Sequence, residues 1–176
     1  MRARFLVVSA LIVALDQWTK LWIEGVLEPH ERLEVVPGLF DLVHVQNTGI
    51  AFGLFPAGRE LGGTLVLTAL GLAALTVVSV YFRRTSEQER LLLLSLSLVL
   101  GGAVGNLVDR ILLRAVTDFL DVYIGSYHWP AFNVADSGVT VGIVLMLVHS
   151  FVPSWGNRTT EARAGRSDLV GAGTSK

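Results

Sequence analysis

Charged residues are scarce in this chain, and several stand inside apolar runs. Of its 176 residues 52% are hydrophobic and 16% charged, so an acid or base within such a run needs a partner or a task. Asp16 and Lys20 lie in an N-terminal apolar run, Asp109 and Arg110 close a glycine-rich one, and Asp118 and Asp136 stand in Ala-Val-Thr-Asp-Phe-Leu and Phe-Asn-Val-Ala-Asp-Ser-Gly. The last two suggest the most specific chemistry. Two adjacent carboxylates share one proton, so the ionised member can take a proton from water while the neutral member donates to a carbonyl oxygen. That is peptide-bond hydrolysis by an activated water, with no side-chain nucleophile. With no cysteine and no Gly-x-Ser-x-Gly elbow, thiol and serine-elbow chemistry fall away. The four histidines are scattered, so no metal site and no cofactor is expected.

Each candidate also has a plainer reading. Asp16 and Lys20 are one helical turn apart, the spacing of an intrahelical ion pair, and a role supporting the site is the alternative. Asp109 is expected to hold Arg110 or a neighbouring backbone group. Asp136 precedes an apolar run and suits a helix cap, while Asp118 and Asp121 could form a solvated loop face.

The apolar runs must position these groups. Four reach the length of about 20 residues that crosses a bilayer: about 5–23, 61–82, 91–112 and 135–152. The first continues through Asp16, Gln17 and Lys20; Arg2 and Arg4 before it resemble a signal peptide, but no small-residue cleavage site follows and Trp18 and Trp22 suit interfacial anchors. With both termini cytoplasmic, that side holds nine Lys and Arg residues and the other five, the bias that sets orientation. Residues 24–60 and 114–133 are then extracytoplasmic. The first segment alternates at Leu33, Val35 and Leu39 to Val45 around the turn Pro37-Gly38, a small sheet, and the second carries Tyr123, Tyr127, His128 and Trp129, which suit the headgroup level. Residues 1–155 form one membrane-embedded domain, and 156–176 are expected to be a disordered cytoplasmic tail. The net charge of −1 offers no basic surface for nucleic acid. A proton- or cation-coupled transporter is the competing reading, but it would carry acids at mid-span and an inverted repeat. A catalytically dead scaffold is a third, against which stands the presence of both aspartates.

From residue 16 to 136 the chain resembles the lipoprotein signal peptidases, membrane aspartic peptidases. The matching blocks are Asp16 to Lys20 (DQWTK), Gln46 to Gly53 (QNTGIAFG), Gly101 to Arg110 (GGAVGNLVDR), Val116 to Asp121 (VTDFLD) and Pro130 to Asp136 (PAFNVAD). The resemblance implies a bundle of four transmembrane helices with a small extracytoplasmic sheet in the bacterial inner membrane, and Asp118 and Asp136 as the catalytic pair. It implies supporting or substrate-binding roles for Asp16, Lys20, Asn47, Gly49, Asn106, Asp109, Arg110, Asn133 and Ala135. Asn106 and Asn133 would orient the carboxylates or the scissile carbonyl, and Asn47 would hold substrate backbone. The implied partners are lipid-modified prolipoproteins, cut before the modified cysteine, and membrane lipid, with the enzyme acting as a monomer. Ile50, Gly138 and the long tail depart modestly from the family pattern and bear on substrate preference.

Overall fold

A computed structural model describes residues 2–49 and 60–151. The chain divides into two units, Met1–Met146 and Leu147–Lys176; the described part of the second is the last turn of a helix, and the architecture below is that of the first. In chain order the described elements are α1 (Ala3–Val26), β1 (Arg32–Val36), β2 (Phe40–Asn47), α2 (Glu60–Arg84), α3 (Arg90–Leu112), β3 (Val116–Ile124), β4 (Tyr127–His128) and α4 (Val134–Phe151). All four helices are long and apolar enough to cross a membrane, and their bounds match the four apolar runs. Ile50 and the expected tail lie outside the described residues.

The central helix is α3: 56% of its most apolar window is buried, against 17% or less for the other three helices. It packs against α1 and α2 and, through glycines, against α4. A Cβ on Gly101 would stand 2.8 Å from that of Ile12, one on Gly142 would meet Ser95 O at 2.7 Å, and one on Gly102 would collide with the Ala135 carbonyl. Small residues bring backbones close enough for dispersion to act where lipid removes the hydrophobic drive. The core around α3 joins Leu92, Leu93, Leu96 and Leu100 to Phe82 of α2, with Phe5, Leu75, Val78 and Met146 packed on it. Outward faces stay apolar: Leu11, Leu21, Leu65 and Leu70 are each at least 60% exposed, as a lipid-facing surface requires.

The strands form one antiparallel sheet in the order β1-β2-β3-β4. The alternating segment folds into the β1–β2 hairpin through Pro37-Gly38-Leu39, where Gly38 adopts φ +78°, a conformation glycine reaches without steric cost. The second segment, for which no strand was expected, supplies the other half of the sheet, with β3 pairing along β2 from Phe40↔Val122 to Asn47↔Val116. Its strand character is hidden because Val116–Phe119 is buried throughout, so hydropathy there does not alternate. Between Leu42 and Val45 the register slips by one residue, and a bulge of one residue exchanges the faces beyond it. Asp41 therefore shares a face with its partner Asp121, while Asn47 is delivered to the face of Asp118.

At Gly105 α3 meets α1 and α4 together: an added Cβ would stand 2.7 Å from Asp16 Oδ2 and 3.2 Å from Ala135 Cβ. Gly105→Ala is expected to cost about 1–3 kcal/mol, read as a lower thermal midpoint in detergent. Gly62→Ala, which meets nothing within 4 Å, is expected to be neutral or slightly stabilising.

Candidate active site

Asp118 and Asp136 arrive on different elements, one on β3 and one in the first turn of α4. Two asparagines bridge them. Asn133 Nδ2 donates to Asp118 Oδ1 (2.7 Å) and to Asn106 Oδ1 (3.1 Å), and Asn106 Nδ2 donates to Asp136 Oδ1 (2.7 Å). The capping reading of Asp136 is also correct, in a reciprocal form. Asn133 is the residue before α4; its Oδ1 accepts from the Asp136 N–H (2.9 Å) while Asp136 Oδ2 accepts from the Asn133 N–H (3.3 Å), the pattern of a capping box.

Asn47 donates through Nδ2 to Asp118 Oδ2 (3.0 Å) and accepts from the Gly49 N–H (2.8 Å). It thus holds a carboxylate, where the sequence suggested substrate backbone. Gly49, at φ +76°, supplies the backbone conformation that turns its N–H onto Asn47. Burial lifts the Asp118 carboxyl from 3.8 to about 6, against the pull of the Asn47 hydrogen bond and with the help of the Asp136 charge. A carboxyl that keeps its proton up to about pH 6 beside a second carboxyl suits shared-proton catalysis.

Beneath the pair lies a buried charge cluster. Lys20 Nζ contacts Asp16 Oδ2 (2.7 Å), Asp109 Oδ2 (2.8 Å) and Asn106 Oδ1 (3.1 Å), and Lys20, Asp16 and Asp109 are at most 3% exposed. The expected intrahelical pair exists, yet Asp16 also supports the site: its Oδ1 accepts from the Ala135 N–H (2.8 Å). Ala135 contributes that N–H and a small side chain. Of the two partners expected for Asp109 it is the backbone one that it holds, the Thr117 N–H (3.3 Å), together with Lys20 and Gln17 Nε2 (2.8 Å); Arg110 donates instead to the Asn106 carbonyl (3.4 Å). Sequence reasoning gave no role to Gln17, Thr117 or Glu24, whose carboxylate accepts from Thr117 Oγ1 (2.7 Å). The polarity of Gln17 within a spanning run was the available signal for it.

Asp121 is neither a solvated face nor part of the pair. It is 5% exposed and, three residues along a strand from Asp118, leaves the opposite face. Arg32 binds Asp121 Oδ2 (2.8 Å) and Asp41 Oδ2 (2.9 Å), His128 Nδ1 bonds Asp121 Oδ2 (2.9 Å), and the Tyr123 and His128 rings stack at 4.7 Å. This cluster ties all four strands together.

Comparison with known proteins gives the family. The family described as Signal peptidase (SPase) II matches residues 8–152. The chain belongs to the signal peptidase II family. Lipoprotein signal peptidase of Desulforapulum autotrophicum is 46% identical, covering 83% of this chain and 90% of its own. That of Oleidesulfovibrio alaskensis is 47% identical, over 81% and 92%. A solved bacterial membrane enzyme superposes with a TM-score of 0.75 at 26% identity, over 86% of this chain and 95% of that one. Signal peptidase II membership makes the chain a multi-pass membrane peptidase.

The raised Asp118 carboxyl carries a pH dependence of stability. The folded state binds the Asp118 proton more tightly than the unfolded chain, so this contribution is greatest below pH 3.8 and is lost as pH rises to about 6. Asp118→Asn is therefore expected to raise the thermal midpoint at pH 8 relative to the parent, by the equivalent of about 1–3 kcal/mol. The gain should vanish as pH falls toward 4, which melting curves across that range will test.

Proposed function

We propose that the chain is an aspartic endopeptidase that cuts the signal peptide from membrane-inserted, diacylglyceryl-modified prolipoproteins just before the lipid-modified cysteine. The observation that carries this reading is the Asp118–Asn133–Asn106–Asp136 bridge, which unites two carboxylates from separate elements at one helix N-terminus. Family membership supports the substrate class, since the relatives are lipoprotein signal peptidases. A cleft of about 480 Å³ beside the pair, lined by Trp129, Phe132, Asp136, Ser137, Thr140 and Val141, offers apolar walls to an acyl chain or signal-peptide side chain.

In the reaction, the ionised carboxylate takes a proton from water as the water oxygen attacks the scissile carbonyl carbon. The protonated carboxyl gives its proton to the carbonyl oxygen, forming a tetrahedral diol. The proton taken from water then passes to the leaving nitrogen as the C–N bond breaks, and one diol O–H returns its proton to the second carboxylate. One proton remains on the pair, ready for another cycle. Site residues divide accordingly: Asp118 and Asp136 act on the water and carbonyl, Asn47, Asn106 and Asn133 orient them, and Asp16, Lys20 and Asp109 hold the frame. Gly49 and Ala135 contribute backbone N–H groups to that frame, and Arg110 donates to the Asn106 carbonyl beside it.

The nine-to-five distribution of Lys and Arg supports both termini lying in the cytoplasm and the pair lying near the extracytoplasmic face of a bacterial inner membrane. There a signal peptide's apolar stretch ends and its scissile bond emerges. The proposed reaction calls on no group from a second copy, in keeping with a monomeric enzyme.

Purified Asp118→Asn and Asp136→Asn variants are expected to bind a diacylglyceryl-modified prolipoprotein yet cleave it at least about 10³-fold more slowly, and the double variant no more slowly still, because the groups act as a unit. Asp121→Asn, an equal loss of charge from the opposite face, should keep substantial activity. Robust cleavage by either dyad variant would refute the mechanism. Orientation is tested separately: reporter fusions at Glu87 and Tyr127 should report opposite sides of the membrane, and a common side would reverse the topology.

A further inference from the structure

The two carboxylates are not equivalent, and the difference traces to a residue that touches neither. We propose that Lys20 is a positioning residue for the pair: acting through Asn106, it holds Asp136 as the ionised base and leaves the shared proton on Asp118. The inference rests on the reading of Asp118 and Asp136 as the catalytic pair.

An ammonium donates three hydrogen bonds and accepts none. Those of Lys20 go to Asp16 Oδ2, Asp109 Oδ2 and Asn106 Oδ1, so Asn106 must present its oxygen to Lys20. Its Nδ2 is thereby committed to Asp136 Oδ1, at 2.7 Å, and cannot rotate into an acceptor. A second lock acts at Asn133. Its Oδ1 is taken by the Asp136 N–H, which turns Nδ2 toward three acceptors at once: Asp118 Oδ1 (2.7 Å), Asn106 Oδ1 (3.1 Å) and Thr117 O (3.3 Å). The shortest of the three goes to Asp118, but that amide is shared, whereas Asn106 Nδ2 has Asp136 as its one acceptor among the described residues.

The surroundings reinforce the asymmetry. Asp136 sits in the first turn of α4, where the helix N-terminus favours an anion, while Asp118 lies on a strand and is 3% exposed. Burial, helped by the Asp136 charge, lifts Asp118 to about 6 and prevails over its Asn47 and Asn133 hydrogen bonds and over the direct pull of the Lys20 charge. The other charged groups facing this region are Asp16 and Glu24 on α1, Asp109 and Arg110 on α3. Asp16 and Asp109 are paired to Lys20, Glu24 accepts from Thr117, and Arg110 contacts the Asn106 carbonyl. None of these donates to Asp118.

Infrared titration of the purified full chain locates the proton directly, where kinetic titration reports only the pair. Difference spectra between the parent and each amide variant should show a protonated-carboxyl band that disappears in Asp118→Asn. In Asp136→Asn it should persist, titrating at lower pH because the neighbouring charge is gone. The reverse pattern overturns the assignment, and a band sensitive to neither substitution removes the shared proton and with it the dyad reading itself. For Lys20, the readout is the pH profile of kcat/KM. Lys20→Met should move the acidic limb, the ionisation of the base, up by about one pH unit or more, and Lys20→Arg should restore part of the shift. If Lys20→Met fails to fold because Asp16 and Asp109 lose their cation, Asn106→Ala keeps those ion pairs and should shift the same limb. An acidic limb unmoved in Asn106→Ala overturns the role of the Lys20–Asn106 link.

Discussion

Burying an ammonium among membrane-spanning helices sets terms that the surrounding elements must meet. An unpaired charge at the position of Lys20 would cost several kcal/mol, and its three donors are met by three acceptors, one on α1 and two on α3. Meeting that demand fixes the axial register of the two helices. Two carboxylates on one ammonium leave acceptor capacity to spare, and β3 and α4 fill it: the Thr117 N–H on Asp109 and the Ala135 N–H on Asp16. Each element carrying a dyad carboxylate is thus tied to Lys20 through a single intermediate. The cluster does not carry out the chemistry, but it decides where the chemistry stands.

The sheet solves a complementary problem. Asp118 must be held from the side away from the helices, and β2 does this with Asn47, while the same strand contributes Asp41 to the Arg32 cluster that binds the sheet together. A regular strand would put Asp41 and Asn47 on one face; the bulge between Leu42 and Val45 separates them. Along β2 and β3, Asp41 and Asp121 leave by one face to bind Arg32, and Asn47 and Asp118 leave by the other. In a low-dielectric setting that separation matters, because a misplaced carboxylate would shift the titration of the pair.

The helices were legible because length and hydropathy suffice for a spanning segment: Leu61 to Phe82 could be little else. The β1–β2 hairpin was legible from alternation and from Pro37-Gly38. Strand β3 was not, since burial on both faces erases the period that marks a strand, and long-range pairing with β2 leaves no local trace. Asp118 and Asp136 were singled out by polarity in apolar surroundings and by resemblance, whereas their bridging partners could be named only from resemblance. For Asp109 the backbone partner was legible, whereas the cation was not: adjacency suggested Arg110, while the one that reaches it, Lys20, is supplied by another helix. Gln17 had a signal that was passed over. Asp121 and Asp41 gave none, because an acid in a surface segment is ordinarily solvated, and only the register of two strands shows that Arg32 stands between them.

The bond from the Ala135 N–H to Asp16 joins residues 119 positions apart in the chain. Asp16 belongs to the first described element and Ala135 to the last, so a chain threading into the bilayer from its N-terminus holds α1, α2 and α3 in place while the site is still open. Asp118 waits on β3 without its counterpart. Only when α4 docks does Asp136 arrive, carried by the helix whose first turn Asp16 caps. On the proposed reading of the pair, a chain assembled in this order would stay latent until α4 docks.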